Sequence, residues 1–421
     1  MPQITSTVAP NGLPIHRIAM PGTRTLTALV AFDAGARAER EEENGIAHFL
    51  EHLVFKGGET YDHYRKVNET AERMGGVLNA FTSHSMVAFH ITVRAEAAAE
   101  ALDLLTDFAG RPKLDADELD KERGVVIQEI ARYHDQPSAL AEQLLDRATF
   151  GDHPLGRTVL GPADHLRTFT RDQVVAFRER RWSGRTGGAF LVGAVDHLPD
   201  DAALGELFAR FPDLEHDAGG VEPAPAPRTD VVVEERDTNQ SHLRVAYRPD
   251  VDAADPATRA ALQIYGTLLG GSMGSRLFDE IREQRGLAYS VSAGAWSLGD
   301  TSQLQLSAGL DSTKCLEAYG RMREIVAELH EDGPTAEEVE RARAYSAGRL
   351  VLAFENSGAV ARHAASQAIV HGEGFDTDEA VARLDAVTLD DVREVARRID
   401  PNEASVACVG PHGEGDFGWS R

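Results

Sequence analysis

Residues 48–52 read HFLEH, inside the run NGIAHFLEHLVFKGG. The run contains no proline, opens after ENG and closes at KGG, which predicts a short helix from about Ile46 to Phe55. Residues four apart on a helix are neighbours, so His48 and His52 can present imidazole nitrogens to a single point. Glu51 sits on the edge of that face, close enough to address a water there without necessarily binding a metal. Phe49, Leu50, Leu53 and Val54 can pack around the other side and leave the histidines in a low-dielectric setting. Such a pair suits zinc, which takes neutral imidazoles and usually a third protein ligand, and leaves its fourth position for water. Taken alone, the pentapeptide fits a polar stripe on a surface helix, or histidines satisfied by neighbours, better than a metal site.

A third ligand has two candidates in KERGVVIQEIARYH, where Glu122 and Glu129 lie seven apart and hence two turns along one helix face. Spacing alone does not choose between them. HFLEH followed by this pair resembles the pitrilysin family of zinc peptidases, whose inverted H-x-x-E-H motif it carries. GGVLNAFTSH (75–84), HPLGRTVLG (153–161) and SRLFDEIREQRGLAYSV (275–291) extend the resemblance over nearly the whole chain. The similarity is to the short two-domain form, like the catalytic subunit of mitochondrial processing peptidase and bacterial relatives.

That resemblance implies one Zn2+ per chain, held by His48, His52 and Glu129. It makes Glu51 the general base and gives Glu122 an assisting role behind the ligands. Asn79, Ala80 and Phe81 would hold an extended substrate as an added strand. Arg282 and Tyr289, seven apart in the second half, would bind substrate and stabilise the oxyanion. His63, His84, His90, His134 and His153 fall outside the ligand spacing and read as surface or core histidines.

The elements around these residues predict an α+β protein. MVAFHITV (86–93) alternates as a strand does, while AEAAAEALDLLTDFA and DADELDKERGVVIQEIARYH carry helical apolar spacing. At 421 residues the chain is too long for one ordinary core. DAGGVEPAPAPRT (217–229) reads as a linker between a zinc-binding domain, 1–216, and a second domain, 230–421. The second half repeats the order, with a strand at TSQLQLSAGL and helices at STKCLEAYGRMREIVAELHEDG and TAEEVERARAYSAGRLVLAFE. An offset of 220 sets Glu118 on Glu338 and Glu129 on Arg349, and it sets HFLEH on LLGGS (268–272). Strands near Gly76 and Gly286 fit an offset of 210 better. The expected fold is two tandem homologous domains, each a largely antiparallel sheet packed with helices, with the polar cluster in the first copy alone.

Composition narrows the function. Hydrophobic and charged fractions of 42% and 26% are those of a folded soluble protein. A net charge of −25 argues against nucleic acid, whose phosphates need clustered Lys and Arg. The same charge could favour basic peptides if carboxylates line a cleft, or could serve solubility. No signal-like N-terminus and no membrane-length apolar run is present, so a cytoplasmic location is expected. Cys315 and Cys408 lack CxxC spacing and read as two buried thiols, with neither a disulfide framework nor a cysteine zinc site indicated. The glycines of LLGGSMGSRL fit no phosphate-binding pattern and read as a loop.

The expected function is a zinc endopeptidase acting on peptides or unstructured leader segments in a chamber closed by two chains. The pair would be a homodimer, or a heterodimer with a metal-dead homologue. The alternative is a non-catalytic scaffold or partner subunit of the same family, which typically loses metal ligands.

Overall fold

The structure, a computed structural model, describes residues 3–184, 186–213 and 220–418. Residues 217–219 of the expected linker lie outside these, and 220–229 carry no regular secondary structure. Among the described residues eleven strands form two sheets. The first contains β1 (Ile4–Val8), β2 (Pro14–Ala19), β3 (Thr25–Phe32), β4 (Val77–Thr82), β5 (Val87–Arg94) and β6 (Gly187–Gly193), in the order β1-β2-β6-β3-β5-β4. The second contains β7 (Val231–Glu235), β8 (Gln240–Tyr247), β9 (Ala288–Leu298), β10 (Thr301–Asp311) and β11 (Ala404–Gly410), in the order β7-β11-β8-β10-β9. Without β1 the two orders are the same. Each sheet is antiparallel apart from one parallel pair, β2 with β6 and β7 with β11. The internal duplication expected from sequence is therefore present in the topology, and the fold is α+β.

Two compact units result, and they are not sequential. The first takes the described residues of Met1–Ile130, Thr158–Glu222 and Leu352–Glu379. The second takes those of Ala131–Arg157, Pro223–Val351 and Ala380–Arg421. A division at the linker into 1–216 and 230–421 therefore does not coincide with the compact units. In the first, helix Ser357–Ala365 covers the face of β3 and β6, with Val360, Ala361 and Ala364 against Leu29, Ala31 and Phe190. In the second, helix Pro137–Phe150 does the same for β8 and β11 through Leu140, Ala141 and Leu145. The reason is physical: β3 is buried along nearly its whole length on both faces, so its second face needs a cover. The cover comes from the other half of the chain.

The opposite face of the first sheet carries the main core. Phe32, Phe89, Phe108 and Trp182 are fully buried there together with Phe49, Leu50 and Leu53 of the helix Ile46–Val54. That motif helix follows Gly45, whose φ of +100° lies in the left-handed region. A Cβ at Gly45 would meet the Leu160 carbonyl oxygen at 2.7 Å, so both conformation and space demand glycine. Among the described residues no helix is long and apolar enough to cross a membrane.

Gly45→Ala is expected to destabilise the chain by about 1–3 kcal/mol through backbone strain and the clash with residue 160. Urea unfolding at equilibrium measures it, and an unchanged midpoint would contradict the stated constraint.

Candidate metal centre

The motif helix buries Ile46, Ala47, Phe49, Leu50, Leu53 and Val54, which turns His48, Glu51 and His52 toward its less covered side. The facing helix, Ala116–Asp135, buries Leu119, Glu122 and Val126, a stripe that Glu129 continues at helical spacing. Arg123 fastens this second helix by donating to the carbonyls of Leu166 and Phe169, and its guanidinium lies 5.9 Å from the Phe49 ring centroid. Two carboxylates on a core-facing stripe are thereby brought against two imidazoles.

The two glutamates take different nitrogens. Glu129 Oε2 stands 3.8 Å from His48 Nε2 and 3.4 Å from His52 Nε2. Glu122 Oε1 instead lies 2.8 Å from His52 Nδ1, while its other oxygen pairs with Lys56. One donor atom each from His48, His52 and Glu129 lies within 4.8 Å of the other two. Glu51 is outside this set, and its carboxylate accepts a hydrogen bond from Thr82 Oγ1 at 2.5 Å.

Burial governs the electrostatics. The His48 side chain is 11% exposed. Desolvation, reinforced by neighbouring His52, drives its pKa down to about 3, so the imidazole is neutral. Its Nδ1 is buried and finds no hydrogen-bond partner among the described residues. Burial raises the Glu51 carboxyl above its ordinary value, although Thr82 and His52 pull the other way. For His52, burial opposes the charged form but is outweighed by the bond to Glu122 and the surrounding carboxylates, so its pKa rises. Glu122 goes down because His52 and Lys56 together outweigh its own desolvation.

Asn79, Ala80 and Phe81 lie on β4, which ends the sheet and, among the described residues, pairs only with β5. The Ala80 N–H donates to the Asn79 side-chain oxygen at 2.9 Å. Arg282 and Tyr289 belong to the second unit. The Arg282 guanidinium sits 4.7 Å from the Phe278 ring centroid and 6.0 Å from that of Tyr289. Ser290 pairs with Gly309 and Ala288 with Leu310, which leaves Tyr289 as the extra residue of a β-bulge, 84% exposed.

Several contributors escaped the sequence reading. Glu39, 5% exposed, accepts from the Asn44 side chain at 3.0 Å, from Gly45 N–H at 2.9 Å and from Ala47 N–H at 2.8 Å. It thus caps the motif helix in place of the side chain that Gly45 lacks. Nothing in RAEREEENG distinguishes it from three neighbouring glutamates. Lys56 was visible only as part of the KGG stop, and Thr82 only as a strand residue.

Fold and site together define a duplicated α+β protein whose first copy carries an HxxEH donor set that its second copy lacks. Residues 17–163 match the family described as Insulinase (Peptidase family M16), and residues 168–345 match the Peptidase M16 inactive domain. The "Uncharacterized zinc protease YmxG" of Bacillus subtilis (strain 168) is 31% identical, over 96% of this chain and 97% of that protein. The "Probable mitochondrial-processing peptidase subunit beta" of Arabidopsis thaliana is 28% identical over 97% of this chain and 79% of its own. A protease from Helicobacter pylori of known structure superposes with a TM-score of 0.87 at 21% identity, covering 98% of this chain and all of that one. The chain belongs to the insulinase, or M16, peptidase family, in which relatives are named zinc proteases.

Glu39→Ala strands three donors and is expected to cost about 2–3 kcal/mol of stability in urea unfolding. Burial also pushes the Glu39 carboxyl from its ordinary 4.5 up to about 8, against the pull of its three donors. The folded chain therefore holds an extra proton between those values, a contribution that is full at the acidic end and lost as pH rises through about 8. Compared with Glu39→Gln, the native chain should lose stability over that window; parallel pH profiles for the two chains would contradict this.

Proposed function

We propose that the chain is a zinc-dependent endopeptidase that cuts peptides or unstructured leader segments. The observation that carries this reading is the convergence of His48, His52 and Glu129 donor atoms within 4.8 Å, beside an acid, Glu51, that is not one of them. The residues fit zinc. Two imidazoles and a carboxylate are a donor set that zinc favours, His48 is held neutral, and the Glu122 contact at His52 Nδ1 leaves Nε2 toward Glu129. Zinc held there would supply Lewis-acid polarisation of the scissile carbonyl and acidify water.

The remaining chemistry belongs to the chain's own groups. Glu51, raised by burial and steadied by Thr82, takes a proton from the attacking water and passes it to the leaving amine, a step worth roughly 10² to 10⁴ in rate. Glu122, anchored by Lys56, fixes the orientation of the His52 ring. The open edge of β4 receives substrate as an added strand along Asn79, Ala80 and Phe81, and the Ala80 N–H passes from the Asn79 side chain to the peptide. Arg282 and Tyr289 bind substrate and stabilise the oxyanion, and the bulge at Tyr289 keeps that ring accessible. The charge of −25 favours basic peptides. Two chains, identical or one of them a metal-dead homologue, enclose the substrate in the cytoplasm.

Glu51→Gln should lower kcat by at least roughly 10² to 10⁴ while leaving zinc content unchanged; normal cleavage by this variant would refute the assigned base. Glu122→Ala should weaken zinc binding by roughly 10-fold to 100-fold in a chelator competition. Unaltered affinity would show that the contact to His52 does not support the site.

A further inference from the structure

The chain's two cysteines, at positions 315 and 408, meet in the second unit. Cys315 opens the helix Cys315–Asp332, and Cys408 lies on β11 between Leu243 of β8 and Val233 of β7. Both are fully buried free thiols. His412, just past β11 and 8% exposed, joins them, so that one donor atom from each of the three lies within 4.8 Å of the others. Ser241 Oγ hydrogen-bonds His412 Nε2 at 2.8 Å, and the Phe417 ring packs edge-on against the His412 ring at 5.6 Å.

The first copy shows what the fold needs at this place. Strand β11 corresponds to β6 and β8 to β3, and the register agrees, since Cys408 pairs with Leu243 as Leu191 pairs with Ala28. The helix Cys315–Asp332 corresponds to Ala98–Phe108, each following a single 3-10 turn. Cys315, Cys408, Ser241 and His412 thus stand where the first copy has Ala98, Leu191, Leu26 and Val195. Ala98, Leu191 and Leu26 are fully buried. One copy fills the place with hydrocarbon, and the other with two thiols, a hydroxyl and an imidazole. The thiols alone would pack as small apolar groups, but a buried hydroxyl and imidazole are less favourable there than hydrocarbon, so packing does not account for Ser241 and His412 joining them. A disulfide would use the two sulfurs but give His412 and Ser241 no part.

We propose that Cys315, Cys408 and His412 bind a thiophilic divalent ion, zinc by donor preference, at a second site separate from the one in the first unit. Thiolate and imidazole donors select zinc over magnesium or calcium. Binding one Zn2+ displaces one proton from each thiol, so two thiolates balance the ion's charge and the imidazole stays neutral. Ser241 orients the His412 ring through its hydrogen bond. The ion would tie a helix start, an inner strand and the segment after that strand to one atom.

The test uses the full chain carrying His48→Ala and His52→Ala, which removes the first-unit donors. Purified without chelator, it should retain about one zinc per chain. Titrated with cadmium, it should show a thiolate-to-metal charge-transfer band in the near ultraviolet. Adding Cys408→Ala should remove both signals, and zinc should raise Tm only where Cys408 is present. His412→Gln, which keeps both thiols, should weaken cadmium binding and guards against misfolding of the cysteine variant. The proposal is overturned if the folded His48→Ala, His52→Ala chain holds neither metal while both thiols react in denaturant. It is overturned equally if the thiols react only after reduction, which would reveal a disulfide, or if His412→Gln binds cadmium unchanged.

Discussion

Everything at the first site depends on polar groups being placed on stripes that the core buries. His48 is neutral because it is desolvated, and desolvated because the helix carrying it must bury Phe49, Leu50 and Leu53. The facing helix meets the same demand with Leu119 and Val126, and carries Glu122 into cover and Glu129 to its margin. Packing and chemistry are therefore one constraint. A buried carboxylate needs compensation, and Glu122 has it from Lys56 and His52 on its two oxygens. The cap at Glu39 applies the same logic to the backbone, satisfying N–H groups that Gly45 cannot serve.

Duplication explains how the chain supports this at one place only. Both units build the same five-stranded order and cover one sheet face with a helix taken from the other half of the chain. In the second unit the helix after β8, Pro256–Gly266, spends its buried face on Ala260, Leu262, Ile264 and Tyr265. The motif helix holds the same place in the order of the first unit, as the first α-helix after β3. One scaffold thus holds ionisable groups where the other holds a plain core, and the cysteine cluster reverses that assignment at a different place.

Much of this was legible in the sequence because it is local. The span of the motif helix follows from its start and stop signals, and the coincidence of Glu118 with Glu338 follows from a repeat that the two long helices preserve. The choice between Glu122 and Glu129 was not legible from spacing. It depends on which imidazole nitrogen each carboxylate meets, and hence on how two helices far apart in sequence cross. Glu39 was hidden among similar glutamates because its role comes from a loop folding back on a helix start. The exposure of Tyr289 comes from a bulge, and one extra residue in a strand leaves no mark on an alternating pattern. The segment exchange between units was invisible for a related reason, since nothing in an amphipathic helix names the sheet it will cover.

The most direct measurement is cleavage of a quenched basic peptide by the zinc-loaded chain, followed through chelation and zinc restoration. Cleavage is expected to be lost with the metal and to return with it. Cleavage indifferent to chelator, or none from a zinc-loaded chain, would contradict a self-sufficient zinc peptidase built on His48, Glu51, His52 and Glu129.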